Sequence, residues 1–140
     1  MQAVLRPTPK RNRHLTWAFV GEVDRTVVDT LIATVQEWAP PASGNRCPQL
    51  RLGPPEPFPT ARRPRVVVLP IYGQIGELAR VRESLVGALA DIGVPVDPKP
   101  FRPHVSVAYV RKQHRGRIEI PPDWHQSWPP MTWTVDGVDV

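Results

Sequence analysis

Two histidines share a setting that suits chemistry. His14-Leu15-Thr16 lies in the apolar run 14–20, and His104-Val105-Ser106 lies in a second such run, 104–110. Strand side chains alternate with a period of two. As strands, the runs would turn each His and its hydroxyl residue to one face, with Leu15, Trp17 and Phe19, or Val105, Val107 and Tyr109, on the other. Facing each other across a cleft, they would pair an imidazole that can give a proton with one that can take it, flanked by hydroxyl donors. That set suits attack on a phosphodiester.

The tripeptide alone is a poor signal. His125-Gln126-Ser127 also matches it, but within the Pro- and Trp-rich stretch 121–130. A single histidine on a half-buried strand is more often structural, satisfied by a neighbouring hydroxyl or carbonyl. What raises His14 and His104 is their pairing: like settings, matching hydroxyl offsets and basic residues at both entrances, Arg11 and Arg13 for one and Arg102 for the other. His114, inside the basic run 111–115, reads as a solvated loop residue. The chain has no phosphate-cradling glycine loop and no His, Asp and Glu set at metal-ligand spacing, so the chemistry is expected to need neither metal nor cofactor. Thr16 and Ser106, each two residues from a histidine on the same face, are better placed to share its ligand than to act as nucleophiles.

With 140 residues the chain is expected to form a single domain. Its one cysteine, Cys47, can make no internal disulfide, and no secretory signal or membrane-spanning run is evident, so a reducing cytoplasm and no membrane association are expected. The net charge of +5 is concentrated in 10–13, 62–65 and 102–117, which fits an anionic partner such as a phosphate backbone and equally a solvated basic face. The 19 prolines fall between periodic segments, as loop punctuation.

Those segments run as follows. After the basic, proline-bearing lead 1–13 and the first apolar run, Gly21 and the N-cap candidate Asp24 precede Val27, Val28, Leu31, Ile32 and Val35 at helical spacing, predicting a helix to about Trp38 that Pro40-Pro41 ends. Residues 49–53 and 65–71 read as strands, with 54–64 a loop carrying Phe58. Leu78, Val81, Leu85, Leu89 and Ile92 mark a long helix over 74–92, with Gly93 placed to end it. The second histidine strand follows, then a basic loop at 111–117. Residues 117–120 and 132–140 are expected to add short strands, with Pro121-Pro122 and Pro129-Pro130 as breaks. Such an order predicts an α+β domain of mostly antiparallel, curved sheet with helices outside.

His14-Leu15-Thr16-Trp17-Ala18-Phe19-Val20-Gly21-Glu22-Val23 and Phe101-Arg102-Pro103-His104-Val105-Ser106-Val107-Ala108 resemble the paired HxTx motifs of the bacterial RNA 2′,3′-cyclic phosphodiesterases. These are also called the 2′-5′ RNA ligase, or LigT-like, family of the two-histidine phosphoesterase superfamily. The similarity covers about residues 7–110, including Pro57-Phe58-Pro59. It implies a bilobal two-histidine phosphoesterase fold with the motifs facing across a central groove, and metal-independent hydrolysis of an RNA 2′,3′-cyclic phosphate to a 2′-phosphomonoester. By position, the resemblance makes His14 the proton donor to the leaving 3′ oxygen and His104 the base that activates water. Thr16 and Ser106 would hydrogen-bond the phosphate oxygens, with Arg102 and Arg111 as further substrate contacts. Opposite roles require one imidazole charged and one neutral in the same complex.

The chain departs from the family in having only residues 1–13 before the first motif, where members carry a strand and a helix, so an N-terminally shortened domain is expected. It stops at Val140, where members continue, and carries Ser for Thr at 106. Expected partners are RNA ends or nucleotides bearing a cyclic phosphate, with no obligate protein partner and a monomeric state. A catalytically weak RNA-end-binding module and a hydrolase of small cyclic nucleotides are the competing readings.

Overall fold

The computed structural model describes residues 4–39, 47–128 and 131–140. Its described residues divide into two compact units, one of residues 4–16, 51–72, 103–128 and 131–132, the other of 17–39, 47–50, 73–102 and 133–140.

The second of these units holds both long helices. Helix α1, Arg25–Trp38, starts where Asp24 accepts a hydrogen bond from the Thr26 backbone N–H at 3.0 Å, satisfying a donor that the first turn leaves unpaired. Helix α2 spans Ile75–Asp91 and buries Leu78, Val81, Leu85 and Leu89. It ends as the sequence predicts: Gly93 adopts φ +78°, its N–H reaches the Ala90 carbonyl, and the Val94 N–H reaches Leu89. This closing turn satisfies two terminal carbonyls and lays Val94 against Leu89, an apolar contact that usually accompanies it. Leu31, Val35 and Trp38 of α1 form one core with Val81, Leu85, Leu89 and Val94. The buried Trp38 ring keeps its N–H satisfied by donating to Ser84 Oγ at 2.9 Å.

The first unit is built on antiparallel pairing. Strand β5, His104–Val110, pairs with β4, Val66–Gly73, on one side and with β1, Leu5–Pro7, on the other. Strand β3, Glu56–Phe58, pairs with β4 as well. With β2, Gln49–Leu52, and β6, Thr132–Thr134, the sheet order is β1-β5-β4-β2-β6, β3 lying off that path. Val67, Leu69, Val107 and Ala108 form the core of this unit, and Trp124 and Trp128, at either end of the short helix α3, Trp124–Ser127, pack against it.

Several expectations change. Residues 14–20 form no strand; a single antiparallel bridge, Leu15 to Val105, is all that pairs there. The lead contains β1 and a turn of 3-10 helix, Lys10–Asn12, and the loop 54–64 contains β3. Residues 117–120 are not a strand, and of 132–140 only Thr132–Thr134 is one. Edge strands of three residues carry too little periodicity to read alone; a partner's unpaired backbone creates them. Pro40-Pro41 and Pro129-Pro130 lie outside the described residues. Among the described residues, no helix is long and apolar enough to cross a membrane.

The largest departure is a bulge. Val67 pairs with Ala108 and Val68 with Ser106, so Val107 is an extra residue on β5 without a partner. Alternation resets there. His104 and Ser106 share one face, Val107 and Ala108 both enter the core with no exposed surface, and Tyr109 returns to the histidine face. Strict period-two reading had placed it opposite.

Asp24 offers a direct test of the α1 cap. Its carboxyl is held below the ordinary value of 3.8, chiefly by the Thr26 backbone hydrogen bond and then by the Thr26 hydroxyl. A group stabilised in its charged form supports the fold above its unfolded pKa and loses that support as pH falls through the folded one. Asp24→Ala is therefore expected to lower Tm at neutral pH, with the difference from wild type shrinking as pH falls below the ordinary carboxyl value and the group protonates; Asp24→Asn, which keeps an acceptor, should retain most of the cap. Thermal melts followed by circular dichroism across pH check both.

Candidate active site

The first motif reaches β5 by a detour. Pro7 pairs with Ala108 and Leu15 with Val105, so eight steps along one segment span three along the other. The surplus loops out as the 3-10 turn Lys10–Asn12 and returns at His14. Arg13 pins the return: its Nε–H donates to the Thr8 carbonyl at 3.1 Å, and its guanidinium lies 5.3 Å from the centre of the Trp128 ring. Arg13, one of the basic residues at the entrance to the first motif, is thus engaged in holding its own loop. At His14, Nδ1 is 2.7 Å from the Asn12 carbonyl oxygen. A carbonyl can only accept, so Nδ1 carries the hydrogen and Nε2 is the atom left to exchange a proton.

Because Leu15 stands opposite Val105, antiparallel register sets His14 beside Ser106 and Thr16 beside His104. Each histidine neighbours the other motif's hydroxyl. The two histidines form a diagonal pair, whose positions in such a ladder lie about 7–8 Å apart, leaving room for a phosphorus centre between the ring atoms. His104 is set from its other side by Phe58, whose ring centre is 4.7 Å away at an interplanar angle of 30°. Phe58 lies at the end of β3, a strand that the sequence reads as loop, so its contact with His104 depends on an unseen pairing.

These side chains bound one cavity of ≈ 230 Å³, lined by Thr8, Asn12, His14, Thr16, His104, Ser106 and Tyr109. All seven belong to one unit. Both histidines and both hydroxyls singled out in the sequence are present, while Thr8, Asn12 and Tyr109 were not singled out. Arg102 and Arg111 do not line the cavity; Arg102 belongs to the other unit, and Arg111 opens the loop after β5. Among the lining residues only the imidazoles can carry positive charge. His125 sits exposed on α3, and His114 Nε2 lies 2.8 Å from the Arg117 carbonyl; neither lines the cavity. Among the described residues no group of three or more His, Cys, Asp and Glu could hold a metal ion.

The profile of the 2′-5′ RNA ligase superfamily matches residues 5–140. The chain belongs to that superfamily. A superfamily relative from Aeropyrum pernix, an RNA 2′,3′-cyclic phosphodiesterase, is 30% identical over 107 residues, covering 76% of this chain. The chain spans 58% of that relative's length. Among solved structures, a Thermus thermophilus protein superposes with a TM-score of 0.64 at 24% identity, covering 94% of this chain and 69% of its own. E. coli LigT complexed with 3′-AMP gives a TM-score of 0.61 at 24% identity, with 94% and 67% covered. These likenesses establish the α+β two-histidine phosphoesterase fold for this superfamily member.

Arg13 can be tested without any substrate. Removing it should free the 3-10 turn, so that in Arg13→Ala the backbone amides of Asn12 and Arg13 exchange with deuterium roughly two- to tenfold faster, the loss of about one hydrogen bond. Exchange followed by NMR, with α2 amides as the internal control, measures it.

Proposed function

We propose that the protein hydrolyses RNA or nucleotide 2′,3′-cyclic phosphodiesters to 2′-phosphomonoesters by paired acid and base catalysis. The supporting observation is that both histidines and both hydroxyls of the two motifs line a single cavity, with the His14 ring held through Nδ1. Superfamily membership and the name of the Aeropyrum pernix relative support the same chemistry.

In this reading the cyclic phosphate sits between the rings. His104 takes a proton from water as the water oxygen bonds to phosphorus. The bond from phosphorus to the 3′ oxygen breaks, and His14 Nε2 delivers a proton to that oxygen. Thr16 and Ser106 donate to the non-bridging oxygens, where charge builds in the pentacoordinate transition state; such donors work best when already aimed. The Asn12 carbonyl keeps Nδ1–H in place whether the ring is neutral or charged, so the travelling proton resides on Nε2. Phe58 limits rotation of the His104 ring.

The cavity falls below the roughly 300–1,000 Å³ of drug-sized ligand sites, so it suits one nucleotide end rather than a long RNA. Longer RNA would be held outside it, by the basic loop beginning at Arg111.

Loss of a general acid or base typically costs about a hundredfold to ten-thousandfold in rate. His14→Ala and His104→Ala are each expected to show that loss in kcat on adenosine 2′,3′-cyclic phosphate, while His125→Ala stays within about twofold of wild type. Steady-state hydrolysis of the three variants decides it, and equal loss in all three would rule the assignment out. An oligonucleotide with a cyclic phosphate end should be preferred to the mononucleotide at low salt, with the preference shrinking as salt rises. Arg111→Ala, Lys112→Ala and Arg115→Ala combined should raise KM for the oligonucleotide; absence of any preference favours a hydrolase of small cyclic nucleotides.

A further inference from the structure

Two arginines stand on the histidine face at the Tyr109 end of the cavity. Arg6 of β1 is opposite Tyr109, which lines the cavity, and the preceding Leu5 packs into the core of the unit. Alternation therefore turns Arg6 away from the core, to the side that Tyr109 shares with the histidines. The ladder runs one residue past β5, where the Arg111 N–H donates to the Val4 carbonyl at 2.9 Å. Val110 is buried opposite Leu5, so Arg111, like Arg6, returns to the histidine face. The two are diagonal neighbours across the β1–β5 ladder, positions that lie about 7–8 Å apart. Both belong to the unit that holds the cavity.

Like charges on neighbouring positions of a ladder repel, and an anion between them offsets that cost. Phosphate suits this pair, since a guanidinium stays charged across the physiological range and meets two phosphate oxygens with one fork. It is a different phosphate from the one that reacts, because the cavity lining holds neither arginine nor lysine.

Register sets the offset between the two. On β4 the partner of Ser106 is Val68 and that of Tyr109 is Val66, two residues or about 7 Å along the strand. Arg6 stands in the Tyr109 row, and Arg111 two residues further on. The offset is one nucleotide long: in a ribonucleoside 2′,3′-cyclic phosphate, the sugar separates the cyclic phosphate from any phosphate that the 5′ oxygen carries.

We propose that Arg6 and Arg111 form a second phosphate subsite, which takes a phosphate ester on the 5′ oxygen of the nucleotide whose cyclic phosphate lies between the histidines. The inference rests on the hydrolase reading above and extends it to a part of the substrate that does not react. The same group is supplied by a terminal 5′-phosphate or by the phosphodiester to the preceding nucleotide of an RNA.

The test compares adenosine 2′,3′-cyclic phosphate, the same compound carrying a 5′-phosphate, and the dinucleotide ApA ending in a 2′,3′-cyclic phosphate. Wild type is set beside Arg6→Ala, Arg6→Lys, Arg111→Ala and Arg80→Ala. Arg80, exposed on α2 with Glu77 at 3.5 Å, controls for the loss of one positive charge elsewhere. At low salt, wild-type KM for the 5′-phosphorylated compound should lie roughly five- to fiftyfold below that for the adenosine compound, the lower part of the range for charged hydrogen bonds because Arg6 is exposed. That gain should shrink as salt rises. Arg6→Ala and Arg111→Ala should each lose most of it through KM rather than kcat, as expected when binding remote from the reacting bond is removed. Arg6→Lys, which keeps the charge but not the fork, should retain part, and Arg80→Ala all of it.

A gain on the 5′-phosphorylated compound alone supports the subsite with a terminal phosphate as its ligand; a gain on the dinucleotide as well supports it with RNA as the source. A gain on the dinucleotide alone assigns the effect to the added nucleoside and overturns the proposal. Equal penalties for Arg6→Ala on all three substrates, or a loss in Arg80→Ala as large as in Arg6→Ala, would overturn it too. Wild type that turns over none of the three refutes the hydrolase reading. The subsite is then judged by calorimetry: adenosine 2′,5′-bisphosphate should bind wild type more tightly than 2′-AMP does, with the difference lost in Arg6→Ala, and no difference in wild type would overturn it.

Discussion

The pairing of Leu15 with Val105 is the constraint from which the site follows. One backbone bridge sets the register between the motifs and so sets which side chains are neighbours: His14 with Ser106, Thr16 with His104. A slip of one residue would send both histidines of the diagonal to opposite faces, since strand side chains alternate. The bridge is reached only because eight steps of chain are folded into the span of three, and that surplus is what the 3-10 turn and Arg13 accommodate. In the helical unit, Arg82 of α2 makes contacts of the same kind, donating from Nε to the Trp17 carbonyl at 2.7 Å and placing its guanidinium 4.8 Å from the Phe101 ring centre. Trp17 leaves the first motif and Phe101 leads into the second.

The two histidines are therefore held by different physics. His104 begins a strand flanked on both sides and stacked by Phe58, its position over-determined by ladder hydrogen bonds and packing. His14 is exposed and follows a turn with no ladder of its own; it is placed by point contacts, the Asn12 carbonyl on its ring and Arg13 on the adjoining backbone. A hydrogen bond nets about 0.5–1.5 kcal/mol and an exposed cation–π contact about 0.5–1 kcal/mol. A few such contacts suffice to order a loop but not to freeze it, and such low-stability segments commonly carry ligand binding. An acid that must reach a leaving oxygen as the bond breaks is suited to that placement.

The chain's positive charge and its cavity are distinct features. The net charge of +5 resides largely in loops, while the cavity lining offers hydroxyls, an amide and a phenol, with imidazole as its only source of charge. Neutral donors that are fixed in place stabilise developing charge without binding the ground-state anion so tightly that release becomes slow. The cationic loops can act at longer range, raising the local concentration of an anionic substrate in a manner that salt would screen.

Much of this was legible from local sequence, because some signals are complete within a few residues. Asp24 two residues before Thr26, the 3.6-residue spacing from Leu78 to Leu89 and Gly93 at the end of α2 each carry their own geometry, and those helices stand where the sequence puts them. The sharing of a face by His104 and Ser106 likewise follows from the pleat, and the paired motif contexts pointed to the superfamily. Other features had no local signature. Whether residues 14–20 become a strand depends on which backbone pairs with them, and beside β5 they form one bridge, Leu15 to Val105. β1 and β3 exist because β5 and β4 present open edges to them, and with β3 comes the stacking of Phe58 on His104. The bulge at Val107 is set by the register between β4 and β5, so the return of Tyr109 to the groove was decided by pairing with Val66 and Val67, and Thr8 is placed by its bond to the distant Val107 carbonyl. Sequence alone determined which residues could do the chemistry and the local elements that code for themselves; tertiary structure decided their neighbours, because backbone register is a relation between distant segments and neither segment encodes it alone.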